Sequence, residues 1–238
     1  MGGRKNTGAT EFAAENPQSQ VDGVDLFLPS ASAGPNCTLA VLDVESPLAW
    51  SAVIPSDTYD LIHSRMCLMT LRDARSAVHR IFSALKPGGI VEFQEKQDPY
   101  RTDDPSPEAQ DTPLLVHSRQ RIEAAKLCGL DRTVAAKIPG WMEEVGFVDV
   151  VVVEKRIPIG GWWDRGSEEE NARLRVAGEK FKECLEWGTL GIARDVFRLG
   201  YGWDEEQIRE NVKGAVEDLG NGQVYAAIMF ITGRKPEA

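Results

Sequence analysis

Seven side chains in the first 95 residues have types and positions that binding or catalysis would need: Asp25, Asp43, His63, Ser64, Arg65, Gln94 and Glu95. A histidine titrates near neutral pH, so His63 could accept a proton from a hydroxyl or an acidic carbon. Gln94 and Glu95 could orient a bound molecule. Each also has a plainer role: His63 as a hydrogen-bonded wall of a pocket, Glu95 as a solvated carboxylate at a strand end. Asp43 closes a short apolar run, and Asp25 lies near the end of another.

The elements that must position these groups are readable around residues 59–95. Tyr59-Asp-Leu-Ile-His-Ser-Arg65 reads as a strand, Asp73 to Leu85 as an amphipathic helix, and Leu85-Lys-Pro-Gly-Gly89 as a tight turn. Ile90 to Glu95 reads as a second strand. A strand–helix–strand unit crosses over right-handed to give parallel neighbours. Ligands of open α/β sheets sit at the carboxyl ends of strands, the side on which His63, Ser64, Arg65, Gln94 and Glu95 fall.

Before this unit, Glu11–Asn16 reads as a helix tail stopped by Pro17, and Gln20–Leu28 and Thr38–Asp43 read as short strands. After it, residues 98–113 are acidic and Pro-rich and are expected to form a flexible cover loop. Helices are expected over 114–129 and 139–146, the second ended by Gly146 in a left-handed cap. Phe147–Lys155 is β-branched and strand-like. Residues 166–219 hold two or three helices, the last beginning at the N-cap Asp204. Gln223–Thr232 is the closing strand. The expected fold is α/β, a three-layer sandwich with a mostly parallel sheet and an antiparallel last strand. It forms one domain over 1–238, subdivided at 97, 165 and 220.

With 238 residues, 42% hydrophobic and 27% charged, the chain can bury one sizeable core. A net charge of −10 argues against a nucleic-acid backbone as the main partner. No apolar run approaches the roughly 20 residues that span a bilayer, and the first residues lack a secretory core. A cytoplasmic protein is expected, with a nuclear location open. The four cysteines show no paired or His-clustered spacing, so buried reduced thiols are expected and no metal site. Five of six tryptophans lie between 141 and 203, which fits either an aromatic ligand pocket or packing of the helical segment.

Six ordered stretches carry a resemblance: Glu15-Asn-Pro with Val24-Asp-Leu26; Leu42-Asp-Val-Glu45; Tyr59 to Arg65; Leu85-Lys-Pro-Gly-Gly89 with Glu92; Arg156-Ile-Pro-Ile-Gly-Gly-Trp162; and Tyr225 through Pro236. Together they resemble class I S-adenosylmethionine-dependent methyltransferases, in the fungal branch related to the LaeA secondary-metabolism regulator. The resemblance implies S-adenosylmethionine as cofactor and a seven-stranded sheet whose last strand is antiparallel and inserted beside the fifth. Asp25, with Leu26, matches the acid that holds the cofactor's ribose hydroxyls. Its two acceptor oxygens suit two vicinal hydroxyls. Asp43 matches the acid that reads the adenine amino group, with Val44 supplying adjacent backbone. His63 and Ser64 would lie near the methionine portion.

One part of the pattern departs. The family sheet begins with a buried strand and a glycine-rich turn whose backbone approaches the cofactor. Met1-Gly-Gly-Arg-Lys-Asn-Thr-Gly8 has glycines but no apolar run before them. Without that central strand its neighbours carry unpaired backbone groups, each costing about 1–3 kcal/mol unless re-paired. The neighbours could pair directly, a partner chain in a homo- or hetero-oligomer could complete the sheet, or the sequence could be a truncated form. Two functions follow from different classes. One is a methyltransferase acting on a small molecule of secondary metabolism. The other is a non-methylating member that steers a biosynthetic intermediate or serves as a partner subunit.

Overall fold

A computed structural model describes residues 7–27 and 33–237. It divides into two units, Met1–Ser56 and Asp57–Ala238. The expected glycine-rich segment falls largely on residues 1–6, outside the described residues.

In the first unit, α1 (Thr7–Glu15) precedes β1 (Val21–Asp25), β2 (Cys37–Val41) and α2 (Pro47–Val53). β1 and β2 are parallel and in register from Val21↔Cys37 to Asp25↔Val41. Asn36 fastens the unit, its side-chain amide donating to the carbonyls of Ala13, Asn16 and Ser19 at 2.9–3.2 Å. The short helix α2 escaped the sequence reading. Its start is nevertheless written in the residues: Ser46 Oγ accepts from Ala49 N, and Pro47 opens the first turn.

The second unit opens with β3 (Tyr59–Arg65), as expected, followed by α3 (Ala74–Ala84) behind the N-cap Asp73. The buried stripe of α3 is Ala74, Ala77, Val78, Ile81 and Ala84, at the spacing of a helix lying on a sheet. β4 (Leu85–Thr102) then pairs parallel with β3, from Leu61↔Ile90 to Arg65↔Gln94. The turn at its start needs glycine. A Cβ at Gly89 would stand 2.9 Å from the Lys86 carbonyl oxygen and 3.0 Å from that of Tyr59.

β4 is the main departure from expectation, since it runs on to Thr102 instead of ending at Glu95. The cause is its partner. The chain continues through α4 (Pro107–Gln110), α5 (Pro113–Leu127), α6 (Ile138–Val145), β5 (Val148–Pro158), α7 (Glu168–Tyr201) and α8 (Glu205–Glu217) to β6 (Val224–Arg234). β6 lies between β4 and β5 and is antiparallel to both. Its eleven residues pair with β4 from Ile90↔Arg234 to Thr102↔Val224, with an irregularity between Gln97 and Arg101. A strand rich in Asp, Lys and Pro is held because its neighbour offers a long apolar edge.

The strand order of this unit is β3-β4-β6-β5. Among the described residues β1 pairs only with β2, and the outer edge of β3 meets no further strand. α3 packs on α6, while α5, α7 and α8 pack on one another, with α5 against β4 and α7 against β5. Leu114, Leu115, Ile159, Leu185, Leu219 and Tyr100 form one buried cluster, and Phe197, Ile208, Val212, Ala124 and Ala193 another. At Gly200 of α7 a Cβ would sit 2.4 Å from the Ala124 carbonyl oxygen, so only glycine lets α7 approach α5 this closely.

Candidate functional site

Asp25 and Asp43 stand at the carboxyl ends of β1 and β2, which are adjacent and parallel. The Leu42 amide donates to the Asp25 carbonyl at 2.9 Å and continues the ladder one step beyond β2. Both side chains are exposed. Each binds its own turn: Phe27 N donates to Asp25 Oδ1 at 3.2 Å and Glu45 N to Asp43 Oδ1 at 2.9 Å. These Asx turns fix the direction of both carboxylates. Leu26 is 56% exposed beside Asp25, and Val44 is half-buried beside Asp43. So the first unit brings four of the expected cofactor residues to one end of one small sheet.

In the second unit His63 and Ser64 lie within β3, opposite Glu92 and Phe93 of β4. His63 Nδ1 is 3.1 Å from Glu92 Oε1, which also accepts from Gln94 Nε2 at 2.7 Å. The pair is solvated, with 44% of the His63 side chain and 34% of that of Glu92 exposed. Glu92 thus orients the imidazole through one nitrogen. β3 ends where Met66, at φ 53°, turns the chain, and Met66 N donates to the Gln94 carbonyl at 2.9 Å.

Glu95 has no exposed surface, contrary to the solvated alternative considered for it. Its Oε1 accepts from Cys67 N and Leu68 N, both at 2.9 Å, which ties the exit of β3 to β4. Its Oε2 has no hydrogen-bond partner among the described residues. Burial pushes the Glu95 carboxyl up, against the pull of these amides.

Beyond Glu95 the strand carries a cluster that the sequence reading missed. Lys96, Asp98, Tyr100, Arg121 and Arg132 are each 9% exposed or less. Asp98 Oδ1 accepts from Lys96 Nζ and, at 3.2 Å, from Arg121 Nη2. Its Oδ2 accepts from Arg132 Nε at 2.8 Å. Lys96 Nζ stands 4.3 Å from the centre of the Tyr100 ring. Burial alone would raise the Asp98 carboxyl, yet Lys96, Arg121 and Arg132 hold it down to about 2. Burial pushes the Lys96 ammonium down, with Tyr100 and Asp98 opposing. Beside this cluster on α5, His117 donates from Nδ1 to Asn211 Oδ1 at 2.6 Å, and burial drops its pKa to about 4. The available signal was the alternation Lys96, Asp98, Tyr100, which puts three polar-tipped residues on one strand face.

The tryptophans do not converge on one pocket. Trp203 packs with Phe197 and Tyr201, Trp162 lies against Trp163, and Trp187 is 89% exposed on α7. Among the described residues no group of three or more His, Cys, Asp or Glu side chains could hold a metal ion. No described helix is long and apolar enough to cross a membrane.

Parallel β1–β2 and β3–β4 pairs, with β6 antiparallel between β4 and β5, define an α/β fold of the Rossmann-like methyltransferase class. Comparison with known proteins agrees. The profile of the Methyltransferase domain family matches residues 1–152, and the chain belongs to that family. It is 25% identical over 204 residues to methyltransferase pytC of Aspergillus terreus, covering 84% of this chain and 59% of that protein. It is 26% identical over 238 residues to the secondary metabolism regulator laeA of Aspergillus fumigatus, covering 97% of this chain and 60% of that protein. The chain thus spans about three fifths of the length of these relatives. Among solved structures, phosphoethanolamine N-methyltransferase 2 of Haemonchus contortus, bound to S-adenosylhomocysteine, superposes with a TM-score of 0.53 at 19% identity, covering 98% of this chain and 47% of that one. The [4+2]-cyclase SpnF superposes at 0.51 and 15% identity, covering 96% and 70%.

Proposed function

We propose that this protein binds S-adenosylmethionine and transfers its methyl group to a small molecule of fungal secondary metabolism. The observation that carries the proposal is the pair of exposed carboxylates at adjacent parallel strand ends, Asp25 and Asp43, in a chain of the Methyltransferase domain family. Carboxylate oxygens are the acceptors that vicinal hydroxyls and an adenine amino group require, so the acceptor set fits the cofactor. Asp25 would take the ribose hydroxyls with Leu26 alongside. Asp43 and the Val44 backbone would take the adenine. When bound, the cofactor supplies a methyl group already activated by its sulfonium, so the chain's task is to bind, orient and exclude water. His63, oriented by Glu92, is placed in this proposal as the acceptor of the substrate proton.

Calorimetric titration with S-adenosylhomocysteine tests this. Wild type should bind, and Asp25→Ala and Asp43→Ala should each weaken binding about tenfold, the loss expected of one charge-assisted hydrogen bond. Absence of heat up to millimolar ligand would remove the cofactor reading. We further infer that a strand from a partner chain completes the sheet at the outer edge of β3, and that the protein works in the cytoplasm or nucleus. The place of β3 at the end of its strand order supports the first point. A non-methylating role remains the second reading, favoured by the fold neighbour whose activity is a [4+2] cyclisation. Products that gain a methyl group only when the protein is present would eliminate it.

A further inference from the structure

The cluster about Asp98 is out of charge balance. Lys96, Arg121 and Arg132 bring three cations to a single carboxylate, and both oxygens of that carboxylate are already engaged. Of the other acidic groups on this stretch, Glu95 spends its one bonded oxygen on the Cys67 and Leu68 amides and not on a cation, and Tyr100 offers a phenol whose pKa Lys96 and Arg121 pull down against burial. Buried cations without a matching anion cost several kcal/mol each. Donors also go unused: Arg121 Nε has no partner among the described residues, and Arg132 Nη2 meets only the Met69 sulfur, at 3.6 Å.

Position adds a second, independent argument. The last residue of β3 pairs with Gln94, so Lys96 to Thr102 extends past the end of β3 on the carboxyl side. That is the side on which open α/β sheets hold their ligands. Lys96 and Arg132 each keep 10% of the side chain exposed, which gives the cluster an approach from solvent.

We propose that Lys96, Arg121 and Arg132 form an anion receptor that takes the carboxylate of a small acidic molecule. That this molecule is the acceptor substrate rests on the transferase reading above. The anion binding itself does not. Asp98 holds the three cations in place and the incoming carboxylate reduces their excess charge, accepting from the N–H groups that Asp98 leaves unserved. A planar guanidinium suits a carboxylate because it can donate two parallel hydrogen bonds.

The experiment uses the full chain and four probes: acetate, benzoate, the neutral isostere benzamide, and inorganic phosphate. Binding is read by calorimetry and by thermal shift, each with and without S-adenosylhomocysteine. Acetate or benzoate should bind and raise the melting temperature, while benzamide and phosphate should not. Arg132→Gln and Lys96→Met should each weaken the carboxylate about tenfold or more, as loss of a charge-assisted hydrogen bond does, and leave S-adenosylhomocysteine affinity within twofold. The proposal is overturned if neither carboxylate stabilises wild type, or if benzamide or phosphate does so equally. Equal loss of S-adenosylhomocysteine binding in Arg132→Gln would also overturn it, since the anion held would then be the cofactor's own carboxylate. The wild-type probe comparison decides even if a variant fails to fold. Failure of S-adenosylhomocysteine alone to bind would count against the cofactor proposal and not against the receptor.

Discussion

β4 carries two ion-pair systems a few residues apart, and they differ in almost every physical respect. Glu92 and His63 face each other across the β3–β4 ladder with a third or more of each side chain in water. Asp98 and its three cations lie further along the same strand, where β6 and α5 cover it and the carboxylate has no exposure. Water screens the first pair and caps its worth at about 1 kcal/mol or less. In the second, little water reaches the place of a lost partner, so removing one member strands the others. The contrast teaches that on this strand position along the sheet, and not residue type, decides what a charge does.

The sharpest way to break the comparison is Asp98→Asn, which leaves three buried cations facing a neutral amide. It should cost about 3–5 kcal/mol of stability by urea denaturation. A loss under 1 kcal/mol would mean that the cluster behaves like a surface pair. The same group predicts an acid limb. Its folded pKa of about 2 lies below the ordinary 3.8, so its stabilisation is complete above pH 4 and lost as pH falls towards 2. That limb amounts to about 2–3 kcal/mol and should be absent from Asp98→Asn.

His117 sharpens the contrast from the other side. Burial lowers its pKa from 6.5 to about 4, so the unfolded chain takes up a proton that the folded one refuses. Stability should therefore fall as pH drops from 6.5 to 4, by about 3 kcal/mol at most, and His117→Gln should flatten that slope. A slope unchanged in the variant would place the titration elsewhere.

What the residues revealed in advance follows the same divide. β3, α3, the Gly146 cap and the Asp204 N-cap were legible because period and punctuation there agree with the final structure. The carboxyl ends bearing Asp25 and Asp43 were legible because each lies at or near the end of an apolar run. The cluster was not. Asp98 and Pro99, with the acids that follow the strand, have the composition of a loop, and only pairing with β6, more than 120 residues later, carries the strand on to Thr102. Arg121 and Arg132 come from a helix and a loop, so no local spacing announces that they meet one carboxylate. Long-range pairing overrode local propensity at the point where the chemistry is densest.

Glu92→Gln gives the smallest expected effect and tests the solvated half of the comparison. The substitution keeps the shape and retains an oxygen able to accept from Gln94, while removing the charge opposite His63. Stability should change by less than about 1 kcal/mol, and the change should shrink further as salt is added. A double-mutant cycle with His63→Gln isolates the pair, and a coupling above 1 kcal/mol would show that the imidazole is held more firmly than its exposure allows. Weak coupling is what a proton-accepting histidine needs here: a ring that Glu92 orients without burying can still meet a substrate from solvent. If His63 serves that role, Glu92→Gln should lower methyl transfer more than it lowers stability, because tilting the ring costs the reaction its geometry while the sheet loses only a screened contact.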